Sequence, residues 1–257
     1  MAGINEDLDE LLGQATALAL QRSLLPDRLP QVTGVDLAAR YMPGHAFGVG
    51  GDWYDVFQLP SGWLGVVIGD VSGHGLASAV VMGRVRSALR AYALICDDPA
   101  EALTLLNRKV HAFEAGSLTT ALYVMVSPSR DRALLSSAGH LRPILAAPGA
   151  PARLADIPVD PPLGVARPVR ARRTTTLPLP PGELLFCYTD GLVERRGEVI
   201  DTGLRRLVDI VKADTAESVC ATVMADAAAE LPTDDVAVLA VRRHPATPYG
   251  NIGPPSC

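Results

Sequence analysis

The chain has 257 residues, 48% of them hydrophobic and 20% charged, which is enough to bury the core of one large domain or two small ones. Its 23 basic and 28 acidic residues give a net charge of −5, and no basic run offsets it, which argues against nucleic acid as a partner. No long apolar run occurs and the acidic start lacks a signal-peptide layout, so we expect a cytoplasmic protein with no membrane association.

The first 26 residues have the pattern of an amphipathic helix. Acidic residues between positions 5 and 10 lie at the end where the helix dipole favours negative charge. About three heptads is the lower limit for a coiled-coil signal, so two alternatives stay open: a helix that packs against its own domain, and a homodimer formed through this helix. The apolar residues follow a 4-3 spacing that fails only at Arg22: Ile4, Leu8, Leu11, Ala15, Leu18 and Leu25.

Residues 27–243 then alternate between strand and helix patterns. Every second residue from 35 to 41 lies on one apolar face of a strand, and we expect the apolar run at 63–68 to be its neighbour in a sheet. Apolar spacing predicts a long helix over 75–95, and a second helix is expected from Pro99, since proline is favoured at helix starts. Three arginines of the long helix are expected to face solvent or an acidic partner: Arg84, Arg86 and Arg90.

The second half of the chain predicts more strands and another pair of helices. Helices are expected between 201 and 231, and the Pro- and Gly-rich tail 244–257 is expected to be disordered. Strand patterns cover 118–126, 133–137 and 141–146 as a meander, an ordered loop covers 147–168, and further strands cover 184–189 and 236–239. This order of elements is typical of a mixed α/β (α+β) fold in which helices flank two packed sheets.

Carboxylates recur where these predicted strands begin or end. One such residue alone reads as an ordinary turn, because Asp next to Gly is common in hairpins. If several converge, two unit charges 4 Å apart repel by roughly 4 kcal/mol even at an effective dielectric of 20, so a cation is needed. Oxygen ligands favour Mg²⁺ or Mn²⁺ over zinc or copper. The acids concerned are Asp52, Asp55, Asp70, Asp190, Asp234 and Asp235.

The motifs that carry these acids occur in the order seen in a known family. They are Leu20–Pro26, Ala39–Pro43, Gly50–Asp55, Gly69–Gly75, Ala138–His140, Pro162–Gly164, Tyr188–Glu194 and Asp234–Asp235. Together they resemble the metal-dependent (type 2C, PPM) serine/threonine protein phosphatases, in particular the bacterial branch of the sporulation stage II E phosphatase (SpoIIE) and the stress-sigma-factor regulators of the RsbU type. The resemblance covers about residues 20–242.

The resemblance implies a fold and a ligand set. The fold is a four-layer α-β-β-α sandwich of two mainly antiparallel sheets, formed by a phosphatase domain at 27–243 between the helix 1–26 and the tail 244–257. The site would hold two or three Mn²⁺ or Mg²⁺ ions. Asp70 bridges the ions, the Val71 carbonyl and Asp52 complete one site, and Asp190 and Asp234 complete the other. Asp55 and Asp235 are auxiliary ligands.

The same resemblance implies a reaction and a pathway. A metal-activated water would hydrolyse phosphoserine or phosphothreonine, with Asp52, Asp70, Asp190 and Asp234 as the catalytic acids. The substrate would be a phosphorylated anti-sigma-factor antagonist in a sigma-factor regulatory pathway. In related proteins the N-terminal helix joins a sensor to the phosphatase. No sensor precedes it in this sequence, so we expect control by dimerisation or by a separate partner.

The sequence differs from the wider family at the position of the proton-donating histidine and at that of the phosphate-binding arginine. Eukaryotic members have a histidine two positions after the bridging aspartate, where this chain has Ser72, with His74 two residues further on. No residue clearly matches their phosphate-binding arginine. For His74 and His140 a structural role in a turn is the more common reading, although a histidine can also donate protons near neutral pH.

The remaining histidines and the cysteines show no spacing typical of zinc or redox sites. Four widely separated cysteines exclude a CxxC motif and favour free thiols in a reducing cytosol. Cys187, within an apolar run, is expected to pack in the core.

Two other functions compete with the phosphatase. Gly50–Asp52 is similar to the signature turn of diguanylate cyclases, another two-metal enzyme, but that reading leaves Asp70, Asp190 and Asp234 without a role. A catalytically weak binding module that sequesters a regulatory protein is the second alternative. The retained acids argue against it, and measuring phosphate release separates the two.

Overall fold

A computed structural model of the chain describes residues 23–44, 50–114, 116–165, 171–195, 197–229 and 232–245. The predicted helix over 1–26 therefore lies outside the described residues except for its end, where Ser23 and Leu24 are helical. Most of the tail predicted to be disordered, from residue 246 on, also lies outside them. No helix among the described residues has the length and apolar composition needed to span a membrane.

The described residues form eleven strands and four α-helices. The strands are β1 (Val35–Met42), β2 (Trp53–Gln58), β3 (Leu64–Val71), β4 (Thr119–Val126), β5 (Arg132–Ala138), β6 (Ile144–Ala146), β7 (Arg153–Leu154), β8 (Val159–Asp160), β9 (Thr175–Pro178), β10 (Leu184–Tyr188) and β11 (Val236–Arg243). The helices are α1 (Leu76–Ala93), α2 (Pro99–Phe113), α3 (Ile200–Ile210) and α4 (Ala216–Ala229), and a short 3-10 helix spans Asp190–Leu192. All four predicted helices with described residues are confirmed.

The strands form two sheets. In the first sheet the order is β1-β11-β10-β6-β7, and in the second it is β2-β3-β4-β5-β8, with β9 also paired to β5. The named strands pair antiparallel except for β5 and β8, which are parallel. Both sheets are thus mainly antiparallel, as the family resemblance implies.

Two predictions about strand neighbours are wrong. β1 does not pair with the run at 63–68; it pairs with β11 along its full length, from Val35 opposite Arg243 to Met42 opposite Val236. The expected meander also breaks after β5, because β6 crosses to the first sheet and pairs with β10. Apolar periodicity identifies a strand but carries no information on a partner that lies two hundred residues away in sequence.

The layers follow from which faces are apolar. One buried cluster runs from α1 and α2 through the second sheet to the inner face of the first, and includes Met82, Val67, Leu185 and Leu239. A second cluster fills the outer face of the first sheet beneath α3 and α4. α1 and α2 cover the second sheet, and α4 covers β1 and β11. The result is the predicted α-β-β-α sandwich.

Candidate metal centre

Three aspartates from both sheets meet at one end of the sandwich. Asp52 precedes β2 and Asp70 is the penultimate residue of β3; because Trp53 lies opposite Gly69, these two acids are neighbours. Asp190 begins the 3-10 helix after β10 of the first sheet. Each acid offers a carboxylate oxygen, and these oxygens lie within 4.8 Å of one another. The predicted convergence of Asp52, Asp70 and Asp190 is therefore present.

The three carboxylates are in an environment that opposes their negative charge. Burial, with the nearby charge of Asp70, raises the pKa of Asp52 well above its usual range. Burial and the charges of Asp190 and Asp234 raise the pKa of Asp70 to about 7. Burial and Asp234 likewise raise the pKa of Asp190. A divalent cation among these acids would reverse the balance, because it favours their ionised forms.

One atom of this group points to the same chemistry. Oδ2 of Asp52 is buried and accepts no hydrogen bond from the described residues. A buried carboxylate oxygen without a partner is costly. Hard cations such as Mg²⁺ and Mn²⁺ are held by carboxylate oxygens. The residues therefore fit a divalent ion of this class.

Asp234 and Asp235 lie beside the three acids but differ from each other. The charge of Asp234 acts on Asp70 and Asp190. Asp235 is 4% exposed and accepts a 2.8 Å hydrogen bond at Oδ1 from the backbone N–H of Gly44. A Cβ built on Gly50 would lie 1.5 Å from Oδ2 of Asp235, so a larger residue there would have to displace this carboxylate. Asp235 thus binds the backbone at Gly44 and lies against Gly50.

The Val71 carbonyl is held next to the acids by a close backbone approach. Val71 N–H donates to the Gly51 carbonyl at 3.1 Å. A Cβ on Gly51 would lie 1.9 Å from the Val71 carbonyl oxygen. The glycine before Asp52 therefore allows the backbone after Asp70 to come into contact with it.

Asp55 does not join the acid cluster. Its side chain is 1% exposed and binds two arginines of α1. Arg90 donates to it from Nε at 2.6 Å and from Nη2 at 2.7 Å, and Arg86 donates from Nη2 at 3.2 Å. The carboxylate expected to be an auxiliary ligand is thus neutralised by α1, whose arginines have the acidic partner that the sequence analysis allowed for.

The histidines and Ser72 take separate positions near the site. His74 and Ser72 are exposed in the loop between β3 and α1. Ser72 N–H donates to the Leu118 carbonyl at 2.9 Å, and Leu118 N–H donates to Ser72 Oγ at 3.3 Å. His140 is 4% exposed and hydrogen-bonded through both ring nitrogens, which confirms its structural role in a turn.

Two threonines in the site were not singled out from the sequence. Thr189 is fully buried; its Oγ1 accepts a 2.8 Å hydrogen bond from Ala237 N–H, and its hydroxyl acts to lower the pKa of Asp52. Thr120 lies opposite Asp70 in the β3–β4 ladder and contacts His140. The position of Thr189 directly before Asp190 could have indicated its place in the site. For Thr120 the sequence indicates only that it lies at the start of a strand.

Residues 60–244 match the family model of Stage II sporulation protein E (SpoIIE), which is more than half of the chain. The chain belongs to the SpoIIE family. The motif-based resemblance to the SpoIIE/RsbU-like branch of the PPM phosphatases is therefore confirmed. The diguanylate cyclase alternative is excluded, because the chain belongs to the SpoIIE family.

Two curated relatives share part of the sequence. The phosphoserine phosphatase RsbP of Bacillus subtilis is 26% identical over 149 residues, which cover 56% of this chain and 36% of RsbP. Protein IcfG of Synechocystis is 28% identical over 227 residues, which cover 76% of this chain and 35% of IcfG. The chain thus spans about a third of the length of these curated relatives.

Solved structures of SpoIIE-like and other type 2C phosphatases have the same fold. The RsbU and RsbW domains of Rv1364c from Mycobacterium tuberculosis match with a TM-score of 0.77 and 28% identity, over 88% of this chain and 64% of that one. The catalytic domain of the serine threonine protein phosphatase PstP, in complex with two manganese ions, matches with a TM-score of 0.60 and 15% identity, over 82% of this chain and 98% of its own.

Proposed function

We propose that this SpoIIE-family chain is a metal-dependent phosphatase that hydrolyses phosphoserine or phosphothreonine in a protein. The observation that carries the proposal is the meeting of Asp52, Asp70 and Asp190, from two different sheets, within 4.8 Å. Mutual repulsion among buried acids destabilises the folded chain, so such a group is expected where a bound cation offsets the cost. The name of its relative RsbP, a phosphoserine phosphatase, supports the substrate class.

Two or three ions of Mn²⁺ or Mg²⁺ fit these residues. Asp70 would be shared between them, with Asp52 and the Val71 carbonyl on one side and Asp190 and Asp234 on the other. When bound, such a pair supplies an electrophile for the phosphoryl oxygens and makes a water strongly nucleophilic at neutral pH. The manganese pair in PstP, a protein of the same fold, supports this number of ions.

The chain itself positions the ligands. Asp70 is held in a strand paired on both sides, since β3 lies between β2 and β4. The hydroxyl of Thr189 acts to lower the pKa of Asp52, and Asp235 lies against Gly50, two residues before Asp52. Asp55 is left out of the ligand set because its two oxygens are already bound by Arg86 and Arg90. Preorganised ligands of this kind reduce the cost of ordering the site when ions bind.

The substrate class within phosphoproteins follows from the family. RsbP and the RsbU and RsbW domains of Rv1364c share sequence with this chain. We therefore propose a phosphorylated anti-sigma-factor antagonist as the substrate, which would place the chain in a sigma-factor regulatory pathway. Control through the N-terminal segment, by homodimerisation over 1–26 or by a separate partner, belongs to the same proposal. Sedimentation at several concentrations tests the dimer; a monomer at every concentration would exclude it.

A catalytically weak binding module explains the site less well. Sequestering a partner needs a complementary surface and gains nothing from buried acids with raised pKa values. In the absence of an ion those acids lower the free energy of unfolding. A binding module that holds no ion would lose stability without any gain in binding.

The deciding experiment measures hydrolysis of p-nitrophenyl phosphate and of a phosphoserine protein with Mn²⁺, Mg²⁺ or EDTA. We expect turnover with either ion, none with EDTA, and none in an Asp70→Asn variant. Asp209→Asn is the matched control, because it makes the same charge change at an exposed position of α3 on the outer layer. Turnover by Asp70→Asn, or equal turnover with EDTA, would refute the proposal.

A further inference from the structure

We propose that His140 is a positioning residue that ties the two sheets together at the site and so fixes the spacing of the acids that hold the ions. The inference rests on the proposed metal centre. It goes beyond the acids themselves, because His140 touches none of them and acts through the strands that carry them.

Both ring nitrogens of His140 are used, one toward each sheet. Nδ1 lies 2.8 Å from Oγ1 of Thr120 in β4 of the second sheet. Nε2 lies 3.1 Å from the carbonyl oxygen of Tyr188 in β10 of the first sheet. Because a carbonyl can only accept, Nε2–H donates to Tyr188, and Nδ1 of the neutral ring accepts from the Thr120 hydroxyl. Burial lowers the pKa of His140 to about 4, which keeps the ring in this neutral form at neutral pH.

Each end of this link lies close to an acid, either across a strand pair or along the chain. Thr120 is paired with Asp70 across the β3–β4 ladder. Tyr188 is two residues before Asp190, and the intervening Thr189 is fixed by its hydrogen bond with Ala237. The path from Asp70 to Asp190 therefore runs through Thr120, His140 and the end of β10. It crosses between the sheets at a side chain that is hydrogen-bonded on both sides.

His140 is itself held firmly in its turn. Ser137 Oγ donates to the His140 carbonyl at 2.9 Å. Gly139 has φ of +70°, and a Cβ at that position would meet Pro162 at 2.4 Å. Gly139 N–H also donates to the Asp160 carbonyl. The backbone that carries the imidazole is thus constrained from three directions.

A directional link matters here because the buried cluster between the two sheets is apolar. Hydrophobic packing is non-directional and scales with buried area, whereas a hydrogen bond restricts distance and angle. Ions in a two-metal site lie about 3.5–4 Å apart, so the sheets must keep Asp70 and Asp190 at a narrow range of separations. Supporting residues of metal ligands are typically worth about 10–100-fold in metal affinity.

The variants divide the link into its two halves. Thr120→Val removes the donor to Nδ1 at constant size, and Thr120→Ser restores it. His140→Gln places an amide near the position of Nε2, and His140→Asn places one near Nδ1, so each keeps one bond and loses the other. Val126→Ala is the matched control: it is fully buried at the far end of the same strand β4 and lowers stability without touching the link.

The experiment measures Mn²⁺ binding by calorimetry on the whole chain, at a temperature where each variant is folded by circular dichroism. We expect the more weakly bound Mn²⁺ ion to bind at least about tenfold less tightly in three variants: Thr120→Val, His140→Gln and His140→Asn. The variants Thr120→Ser and Val126→Ala should bind Mn²⁺ with the wild-type affinity. In a phosphatase assay the Mn²⁺ concentration needed for half-maximal rate should rise, while KM for the phosphorylated substrate stays unchanged.

Folded His140 and Thr120 variants that bind Mn²⁺ like the wild type would overturn the inference, and so would an equal loss in Val126→Ala. Binding separates this result from the proposed function. A wild-type chain that binds Mn²⁺ but releases no phosphate would refute the phosphatase and leave the role of His140 to be decided by the same affinities.

Discussion

Asp52 and Asp55 lie three residues apart and are both buried, at 3% and 1% exposure, yet they have opposite surroundings. Asp52 faces the negative charges of Asp70 and Asp190, whereas Asp55 is bound by Arg86 and Arg90. The same residue type thus destabilises the metal-free fold at the position before β2 and binds helix α1 at a position within β2. The sign of the charge that the tertiary fold brings to a buried carboxylate decides which role it has.

The largest effect expected from this comparison is on activity at Asp52. Replacing it with Asn removes one anionic ligand, so turnover should fall by at least about a hundredfold, more than the loss typical of a supporting residue. The melting temperature in EDTA should not fall, because the change relieves repulsion. Phosphate release and thermal unfolding of the same samples give both numbers. Turnover within tenfold of the wild type would mean that Asp52 is not a ligand.

The next effect is on stability at Asp55. Asp55→Ala leaves two arginines of α1 without their buried counter-charge, so the free energy of unfolding should fall by about 3 kcal/mol. Arg90 is 45% exposed at its side chain and can reach water, which places the value at the lower end of the range for broken buried pairs. Urea unfolding in EDTA measures it.

Arg84→Ala is the control for this change. Arg84 lies on the same helix α1 as Arg86 and Arg90, is 59% exposed and pairs with Glu114. Its loss should therefore lower the free energy of unfolding by less than about 1 kcal/mol. If Asp55→Ala and Arg84→Ala destabilise equally, the Asp55 pairs add nothing beyond a surface ion pair, and the contrast with Asp52 disappears.

The helices and most strands could be predicted because their signals are local. The α2 start is an example: Asp98 accepts hydrogen bonds from Ala100 N–H and Glu101 N–H, and Pro99 occupies the first turn. Both features are legible in four consecutive residues. Strand pairing could not be predicted in this way. β1 and β11 are almost two hundred residues apart, and the sequence of neither strand indicates its partner.

The site was predictable to the extent that its motifs have a fixed order in a family. That order identified Asp52, Asp70 and Asp190, which the structure brings together. It also grouped Asp55 with them, since Asp55 belongs to the same motif. The arginines that bind Asp55 come from α1, more than thirty residues away, and their direction depends on how that helix lies on the second sheet. Thr189 and Thr120 were missed because their role arises only from contacts across strands.

A smaller effect tests the destabilising side of the comparison through pH. The pKa of Asp70 is raised to about 7 from an ordinary value of 3.8, so the folded, metal-free chain binds this proton more tightly than the unfolded chain. The associated stability is present below about pH 4 and is lost as pH rises toward 7. Asp70→Asn carries no such group. In EDTA the variant should equal the wild type near pH 4 and exceed it at pH 7.5 by about 2 kcal/mol, allowing for partial exposure.

Urea unfolding between pH 4 and pH 8 measures this difference. Addition of Mn²⁺ at pH 7.5 should reverse the order, because an ion that binds only the folded state stabilises the wild type and binds the variant poorly. A difference between the two proteins that does not change with pH would show that Asp70 ionises normally and that the repulsion argument is wrong.

The smallest effect concerns the hydroxyl that links Asp52 to its surroundings. Thr189→Val leaves Ala237 N–H without its 2.8 Å acceptor and removes the hydroxyl that lowers the pKa of Asp52. The free energy of unfolding should fall by about 1 kcal/mol. Protons should then compete better with Mn²⁺ for Asp52, so the Mn²⁺ requirement should rise a few-fold at pH 6 and less at pH 8. Thr189→Ser, which keeps the hydroxyl, should restore the wild-type requirement at both pH values. If Thr189→Ser and Thr189→Val have the same Mn²⁺ requirement, the hydroxyl does not set that requirement, and Asp52 is then distinguished from Asp55 by repulsion alone.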